Sequence, residues 1–263
     1  MTDRSAGTAA ATRLVDIVFP EHTNHHGTLF GGIGLAHMDK VAFIAASRHA
    51  HVEFVTASCE QVDFAAPTHL GEIVELVGSV TRVGRRSLGV EVELIAEVPL
   101  SGERRHCGRG LFTLVALGEG LEARGGALPP LRPGAEAAVP PPPTDDALRM
   151  VEMVFPEHTS HYGSLYGGNA LAAMGKAAFI AATRHCRKTI VMASSRRVDF
   201  KSQIHKGEIV ELIPRVTGVG RTSLTVEVEL WAEDLLSGDR RLCGLGHFIM
   251  VAVDALHRPT VAA

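Results

Sequence analysis

The sequence predicts an α+β protein built from two repeats of one unit, in which a curled antiparallel sheet wraps around one long central helix. Residues 13–116 align without a gap with residues 149–252, and about 62 of about 104 aligned positions are identical, the signature of an internal repeat. Each repeat holds one long, almost uniformly apolar run, followed by four strand-like runs. The two repeats must share a fold, so a difference between them at a polar position reports on chemistry.

The elements follow one order in each repeat. Residues 13–20 form an opening strand, and the run 33–46 is too apolar for a surface helix, which would show a polar face. The later strands are predicted at 58–67, 72–84, 87–98 and 107–117. Ser-Gly pairs at 101–102 and 237–238 mark the turn between the last two strands. Packing two repeats together is expected to cover the sheet edge that one repeat leaves exposed.

Changes in composition divide the chain further. Residues 118–147 are rich in Gly and Pro, which predicts a linker that is semi-extended through Pro140 to Pro143. The predicted parts are a disordered tail (1–12), a first domain (13–117), the linker (118–147), a second domain (148–254) and a C-terminal tail (255–263).

Bulk properties limit the function classes. The net charge of −3 argues against a nucleic-acid or anionic-membrane partner, and no apolar run is long enough to span a membrane. The start has no secretory signal pattern and the four cysteines form no CxxC pair, so we expect a cytoplasmic protein. His22, His25 and His26 do not have zinc-site spacing. No metal and no cofactor are expected.

Asp39 is the most informative difference between the repeats. A buried carboxylate costs several kcal/mol unless it is paired or hydrogen-bonded, and Asp39 lies in the apolar helical run. The alternative is a solvated polar stripe with His37 and Lys40. The second repeat keeps the lysine as Lys176 but has Gly175, so the fold tolerates loss of the carboxylate. We therefore predict a role as general base toward water or as direct nucleophile.

Asn24 is the second difference, since the second repeat has Ser160 at that position. The Asn amide could position an attacking water or an acyl carbonyl. It could equally cap the local turn, as a serine also does.

Paired glycines mark the start of each central helix. Gly31 and Gly32 in the first repeat, and Gly167 and Gly168 in the second, lie where free N–H groups and the positive end of the helix dipole converge. Such a position can stabilise the oxyanion of a thioester. Close packing of helix on sheet is the other interpretation, and both can hold.

Several blocks resemble the hotdog-fold acyl-CoA thioesterases: NHHGTLFGG, MDKVAFIAASRH, VDFAAP, GEIVEL, VGRRSL and VEVELIAE. The nearest subgroup contains YciA-like bacterial enzymes and the vertebrate cytosolic acyl-CoA hydrolase. The resemblance implies a tandem double hotdog that hydrolyses an acyl-CoA thioester to a free acid and coenzyme A at an inter-domain site. It also implies a homo-oligomer, with coenzyme A only as product or part of the substrate.

The resemblance also assigns roles. Asn24 and Asp39 match the family's Asn before the helix and Asp within it. The V-G-R-x-S segments at 83–87 and 219–223 resemble a coenzyme A contact region, although solvated turn arginines are the alternative. The matching residues there are Arg85, Ser87, Arg221 and Ser223.

In that family one domain supplies the Asn and the other the Asp, so two composite sites are expected. One joins Asp39 with Ser160 and His161, and the other joins Asn24 with Gly175. We predict that the first is active and the second is not. Because Asn24 and Asp39 share a repeat, three outcomes stay open: Ser160 replaces the Asn, activity is low, or first repeats of neighbouring chains build a site together.

Two rival functions remain at this point. A hydroxyacyl dehydratase on the same fold would combine His25 or His37 with Asp39. A non-catalytic acyl-CoA-binding or regulatory protein would keep the fold and one partial site.

Overall fold

The computed structural model describes residues 11–122, 125–131 and 148–262. The helices are α1 (Gly31–Ala50), α2 (Gly118–Glu122) and α3 (Gly167–Cys186). The strands of the first domain are β1 (Thr12–Ile17), β2 (Phe54–Phe64), β3 (Ile73–Val83), β4 (Ser87–Glu97) and β5 (Arg104–Ala116). Those of the second are β6 (Met150–Met153), β7 (Ile190–Phe200), β8 (Ile209–Val219), β9 (Ser223–Glu233) and β10 (Arg240–Ala252).

Each domain is one five-stranded antiparallel sheet folded over one helix, as predicted. The strand orders are β1-β3-β4-β5-β2 and β6-β8-β9-β10-β7. Met38, Val41 and Ala42 of α1 are fully buried against the sheet. The approach is close at Gly78 in β3, where a Cβ would come within 2.6 Å of Val41 Cγ1. The glycine therefore lets the helix sit deep in the curled sheet.

A second row of α1 residues faces the other domain. Lys40 Nζ bonds Glu152 Oε1 at 2.7 Å, and at the matching place Lys176 Nζ bonds Asp16 Oδ1 at 2.7 Å. Between them, Ile44 packs on buried apolar residues of β6 and β8. Since Asp16 and Glu152 are repeat equivalents, the same contact is made twice. The two domains are thus related by a pseudo-two-fold axis.

Buried ion pairs extend this seam between the domains. Arg48 Nη2 bonds Glu233 Oε2 at 2.6 Å, and its equivalent Arg184 bonds Glu97 Oε2 at 2.7 Å. Arg184 also reaches Glu75 at 3.3 Å. Charges this deeply buried are tolerated because each carboxylate has a guanidinium partner.

This pairing lowers the pKa values of two first-domain carboxylates, Glu75 and Glu97. Burial would raise the pKa of Glu75, but Arg104, Arg13 and Arg184 outweigh it and hold the pKa below its ordinary value. Burial likewise would raise the pKa of Glu97, but Arg184 and Arg187 outweigh it and lower that pKa. Both groups are therefore anionic when the domains are docked at neutral pH.

The outer sheet edges differ from the sequence expectation. β1 and β6 contact one another at the seam, but β2 and β7 stay at the far edges, each paired on one side only. Packing of the two repeats therefore does not cover both edges, because the seam is built from the helices and from β1 and β6.

The segments after each domain pack back onto it. Leu121 and Leu128, in the first part of the predicted linker, are buried against the first domain, and Leu128 N donates to Arg85 O at 3.0 Å. In the predicted C-terminal tail, Ala262 is buried and its N donates to Arg221 O at 2.8 Å. Residues 1–10 of the predicted N-terminal tail and residues 132–147 of the predicted linker lie outside the described residues. Within the described ranges, no helix combines the length and apolarity that a membrane crossing requires.

Candidate active site

Asp39 points from α1 toward the outer strand β2. Thr56 Oγ1 donates to Asp39 Oδ1 at 2.7 Å, and the carboxylate is half-buried. A hydroxyl donor to a carboxylate makes a charge-assisted bond, stronger than a neutral one. Thr56 was not among the predicted site residues. Its bond fixes one carboxylate oxygen and leaves Oδ2 for another partner.

The second domain lacks both members of this pair. Gly175 replaces Asp39 and Met192 replaces Thr56. A Cβ on Gly175 would lie only 2.7 Å from Met192 Cε. The methionine therefore occupies the space that a carboxylate would need, and the two positions differ as a unit.

Asp39 is on a different side of α1 from the side chains that bond the second domain. Successive helical residues turn by about 100°, so Asp39 faces away from the row formed by Lys40, Ile44 and Arg48. The hydrogen bond recorded for Ser160 is local, from Tyr162 N to Oγ at 3.3 Å. The carboxylate is on the face of α1 beside β2, and the site joining Asp39 to Ser160 stays a prediction.

Asn24 caps its own loop, the structural role that its sequence position allowed. Its Oδ1 accepts from the backbone N–H of His26 at 2.9 Å and of Thr28 at 3.3 Å, while Nδ2 donates to Thr28 Oγ1 at 2.9 Å. One Nδ2 hydrogen is left for a further acceptor.

The glycines predicted for oxyanion binding do begin the two helices, α1 at Gly31 and α3 at Gly167. Neither helix has a side-chain cap at its start. In α1 the N–H of Ile33 donates to Phe30 O at 2.9 Å, whereas helix geometry provides no intrahelical acceptor for the N–H groups of Gly31 and Gly32. Gly31 is eight residues from Asp39, about 12 Å along the helix axis. One carbonyl carbon therefore cannot contact both Gly31 and Asp39 of the same helix.

Both repeats of the chain are similar to known proteins. The family model described as "Thioesterase superfamily" matches residues 26–102 and 162–238. The crystal structure of an acyl-CoA hydrolase from Agrobacterium tumefaciens is 50% identical, with a TM-score of 0.83, over 96% of this chain and 97% of that one. The chain belongs to the thioesterase superfamily. Its fold is the predicted tandem hotdog.

Two relatives show how the repeats are shared. An uncharacterized acyl-CoA thioester hydrolase of Bacillus subtilis is 44% identical over 100 residues, which are 38% of this chain and 58% of the relative. The cytosolic acyl coenzyme A thioester hydrolase of Rattus norvegicus is 23% identical over 86% of this chain and 69% of its own length. The first match covers one repeat, and the second covers both.

The N-terminus of the central helix is more open in the second domain, at α3, than in the first, at α1. A cavity of about 310 Å³ is bordered there by Gly167, Phe200, Lys201 and Ser202, among others. In the first domain the ring of Phe64, equivalent to Phe200, would lie 3.3 Å from a Cβ at Gly34. The second domain therefore has room beside the helix N-terminus where the first is packed.

The corner predicted to contact coenzyme A lies at the Asp39 end of the sheet. Sheet register places Thr56, Leu114 and Leu88 in one row across three strands, so Leu88 is about 10 Å from Thr56. Arg85 lies in the turn between β3 and β4, and Ser87 is the first residue of β4. A long ligand could thus reach from this corner to Asp39.

The histidines near the site do not form a metal centre. Within the described ranges, no group of three potential metal-ligating side chains is found. The rings of His22 and His37 meet edge-on, with centroids 6.1 Å apart. Burial lowers the pKa of His37, which favours the neutral ring.

A larger cavity, about 620 Å³, opens at the seam and includes Phe43, Glu53, Met153, Lys206 and Asp234. No residue predicted for the active site borders it. Its size alone does not make it the site of hydrolysis.

Proposed function

We propose that this protein hydrolyses acyl-CoA thioesters, with Asp39 at the reacting centre. One observation supports this most strongly: the hydrogen-bonded pair of Asp39 and Thr56 is present in one domain and replaced as a unit by Gly175 and Met192 in the other. A pair needed for folding would be present in both. The relatives named above are called acyl-CoA hydrolases, which agrees with this chemistry.

Asp39 can act in two ways. As a general base, Oδ2 takes a proton from water while the water oxygen attacks the thioester carbonyl; the C–S bond then breaks and coenzyme A leaves as a thiolate that is protonated. As a nucleophile, Asp39 itself displaces the thiolate to form an acyl anhydride, which water hydrolyses. Thr56 would hold the carboxylate in position for either reaction.

The oxyanion would be stabilised by the N-terminus of a helix other than α1, because Gly31 and Asp39 are about 12 Å apart along the α1 axis. Gly167 and Gly168 are the equivalent donors of a second-domain helix, and Gly167 borders open space. We assign them to the Asp39 site. Gly31 and Gly32 would then face Gly175, where no carboxylate is present.

The remaining predicted residues have supporting roles in this proposal. Arg85 and Ser87, with Arg221 and Ser223 in the second domain, would bind the phosphates of coenzyme A, for which guanidinium groups are suited. Asn24 and Ser160 shape the loops before the helices and stay candidates for contact with the carbonyl or water. A cytoplasmic location and the lack of a cofactor stay predictions.

A dehydratase is less well supported by the geometry. His37 is two residues from Asp39, and such residues point about 200° apart on a helix. His25 stacks on His26 with ring centroids 3.8 Å apart. Neither histidine is recorded in contact with Asp39.

The test is thiol release from a panel of acyl-CoA substrates of increasing chain length. Hydrolysis predicts stoichiometric free coenzyme A, a dehydratase would give enoyl absorbance, and a binding protein would hold coenzyme A without turnover. A single turnover in oxygen-18 water then separates the two mechanisms. Label found in the Asp39 carboxylate identifies the nucleophilic route.

A further inference from the structure

The cavity at the N-terminus of α3 has a structural cause that the repeat makes visible. In the first domain the ring of Phe64 lies 3.3 Å from the position of a Cβ on Gly34, closer than the ordinary carbon contact of about 3.5–4.0 Å. The second domain has Ala170 at this position, and its methyl group excludes a ring placed in the same way. Phe200 therefore leaves the helix start open: beyond the helix itself and its chain neighbours, no described atom lies within 4 Å of a Cβ on Gly167.

One stretch of the cavity lining is polar where the first domain is apolar. Three consecutive residues differ in this way: Lys201, Ser202 and Gln203 border the cavity in place of Ala65, Ala66 and Pro67. The backbone is held alike in both domains, since Lys201 N donates to Cys243 O at 2.7 Å and Ala65 N donates to Cys107 O at 2.9 Å. The fold therefore does not require the change, which concerns the side chains that face a ligand.

Lys201 sets the charge of this cavity. Among the described residues that border it, Lys201 has the only charged side chain. The lysine is exposed, and its ammonium group makes no salt bridge with any residue that the structure describes. The apolar part of the lining consists of Leu165, Ala170, Phe200, Ile204 and Leu230. Apolar walls with one unpaired cation fit a short apolar chain that ends in an anion.

The phosphates of coenzyme A are a poor match for this cation. Arg221, in the segment of the second domain predicted to bind them, lies just before β9. Leu224, near the start of β9, and Leu230, which borders the cavity, are six residues apart on that strand, a distance of about 20 Å. Arg221 and Lys201 therefore contact different parts of a ligand, which leaves the acyl group for Lys201.

We infer that the substrate carries a short acyl group that ends in a carboxylate, and that Lys201 binds this carboxylate. The inference rests on the proposed function, in which the thioester carbonyl lies at the N-terminus of α3. The acyl chain then continues from Gly167 into the cavity, where an ammonium–carboxylate hydrogen bond is charge-assisted. The cavity volume of about 310 Å³ holds roughly ten non-hydrogen atoms, at about 30 Å³ for one water molecule, so the chain is short.

Two acyl-CoA probes of equal size test this assignment by thiol release: glutaryl-CoA, and a neutral analogue in which an isopropyl group replaces the terminal carboxylate. The measured quantity is kcat/KM for glutaryl-CoA divided by kcat/KM for the analogue. Lys201→Ala, which introduces the first-repeat residue, should lower this ratio about tenfold, the effect of one hydrogen bond to a charged group. Lys201→Arg should keep most of it. Lys206→Leu also introduces a first-repeat residue, but at the larger cavity; it is the matched control and should leave the ratio unchanged.

Two results would overturn the inference while the proposed function stands. If Lys201→Ala lowers kcat/KM equally for both probes, Lys201 binds a part that the probes share, such as coenzyme A. If the ratio is unchanged in a folded Lys201→Ala protein, the lysine does not contact the acyl group. A third result is distinct from these: wild-type protein that releases no thiol from either probe or from the wider acyl-CoA panel contradicts the proposed function, and the inference with it.

Discussion

The two domains have the same backbone and nearly the same core, but their helices differ where the chemistry is proposed. In the first, Asp39 and Thr56 form a hydrogen-bonded pair at the outer face; in the second, Gly175 and Met192 fill that volume without a charge. The seam residues, by contrast, are retained as matching lysines and arginines in both. Docking of the domains is therefore preserved twice, and the carboxylate once.

The largest expected effect concerns the seam. Arg48→Met should lower the free energy of unfolding by about 3–5 kcal/mol, because Arg48 is the one cation recorded in a salt bridge with buried Glu233 in the described residues. Arg184→Met should cost less, since Glu97 keeps Arg104 and Arg187. Chemical denaturation of both variants measures the difference. Equal losses would show that the two halves of the seam are energetically alike.

Transferring the pair to the second domain should have a smaller effect on stability. Gly175→Asp alone should destabilise by about 1–3 kcal/mol, because the new side chain meets Met192. Adding Met192→Thr should recover most of that loss and provide the bond seen in the first domain. Turnover per chain should then rise toward about twice the wild-type value if the second site becomes competent. A stable double variant with unchanged turnover would show that the pair is insufficient.

Removing only the supporting hydroxyl should give a modest loss. Thr56→Val keeps the shape but loses the bond to Asp39, and should lower kcat about tenfold, equivalent to one hydrogen bond to a charged group. Met192→Thr, at the equivalent place in the second domain, is the control and should leave kcat unchanged. If the two variants behave alike, Thr56 has no special part in turnover.

The smallest effect is on the acid dependence of stability. The pKa values of Glu75 and Glu97 are lowered in the folded protein, so their stabilisation is complete above the unfolded pKa, about 4.3. It is lost as pH falls further, through their folded pKa values. Unfolding midpoints measured between pH 6 and 3 should therefore drop less steeply for Arg184→Met than for wild type. If the midpoints of the two proteins fall in parallel with pH, Arg184 does not contribute to the pH dependence of stability.

Much of the fold followed from the sequence because the repeat fixed the strand and helix order twice. The apolar run at 33–46 became the buried middle of α1, which extends over Gly31–Ala50. The sequence analysis predicted a linker from residue 118 and so missed the short helix α2, and it predicted a tail where residues 255–262 pack against the second domain. The buried residue of each segment, Leu121 in the first and Ala262 in the second, is isolated in Gly- and Pro-rich or polar sequence, so no apolar pattern marks it.

Only half of the proposed Asp39–Thr56 pair stood out in the sequence. Asp39 was found because its loss in the second repeat breaks a near-identical block, but Thr56 lies in a polar stretch where a change to methionine looks ordinary. The joint change at both positions was the available signal. Pattern alone does not say which side of an apolar helix faces a neighbour. Lys40 and Arg48, eight residues apart on that helix, show it in the structure through their bonds to the second domain.

The central claim is that the Asp39 carboxylate performs the chemistry. The most direct measurement is the initial rate of thiol release by Asp39→Asn beside Asp239→Asn, an exposed aspartate in the β9–β10 turn. We predict that kcat falls by about 10²–10⁴-fold for Asp39→Asn, as expected when a general base is lost, and is unchanged for Asp239→Asn. A folded Asp39→Asn protein that releases thiol at the wild-type rate would contradict the account.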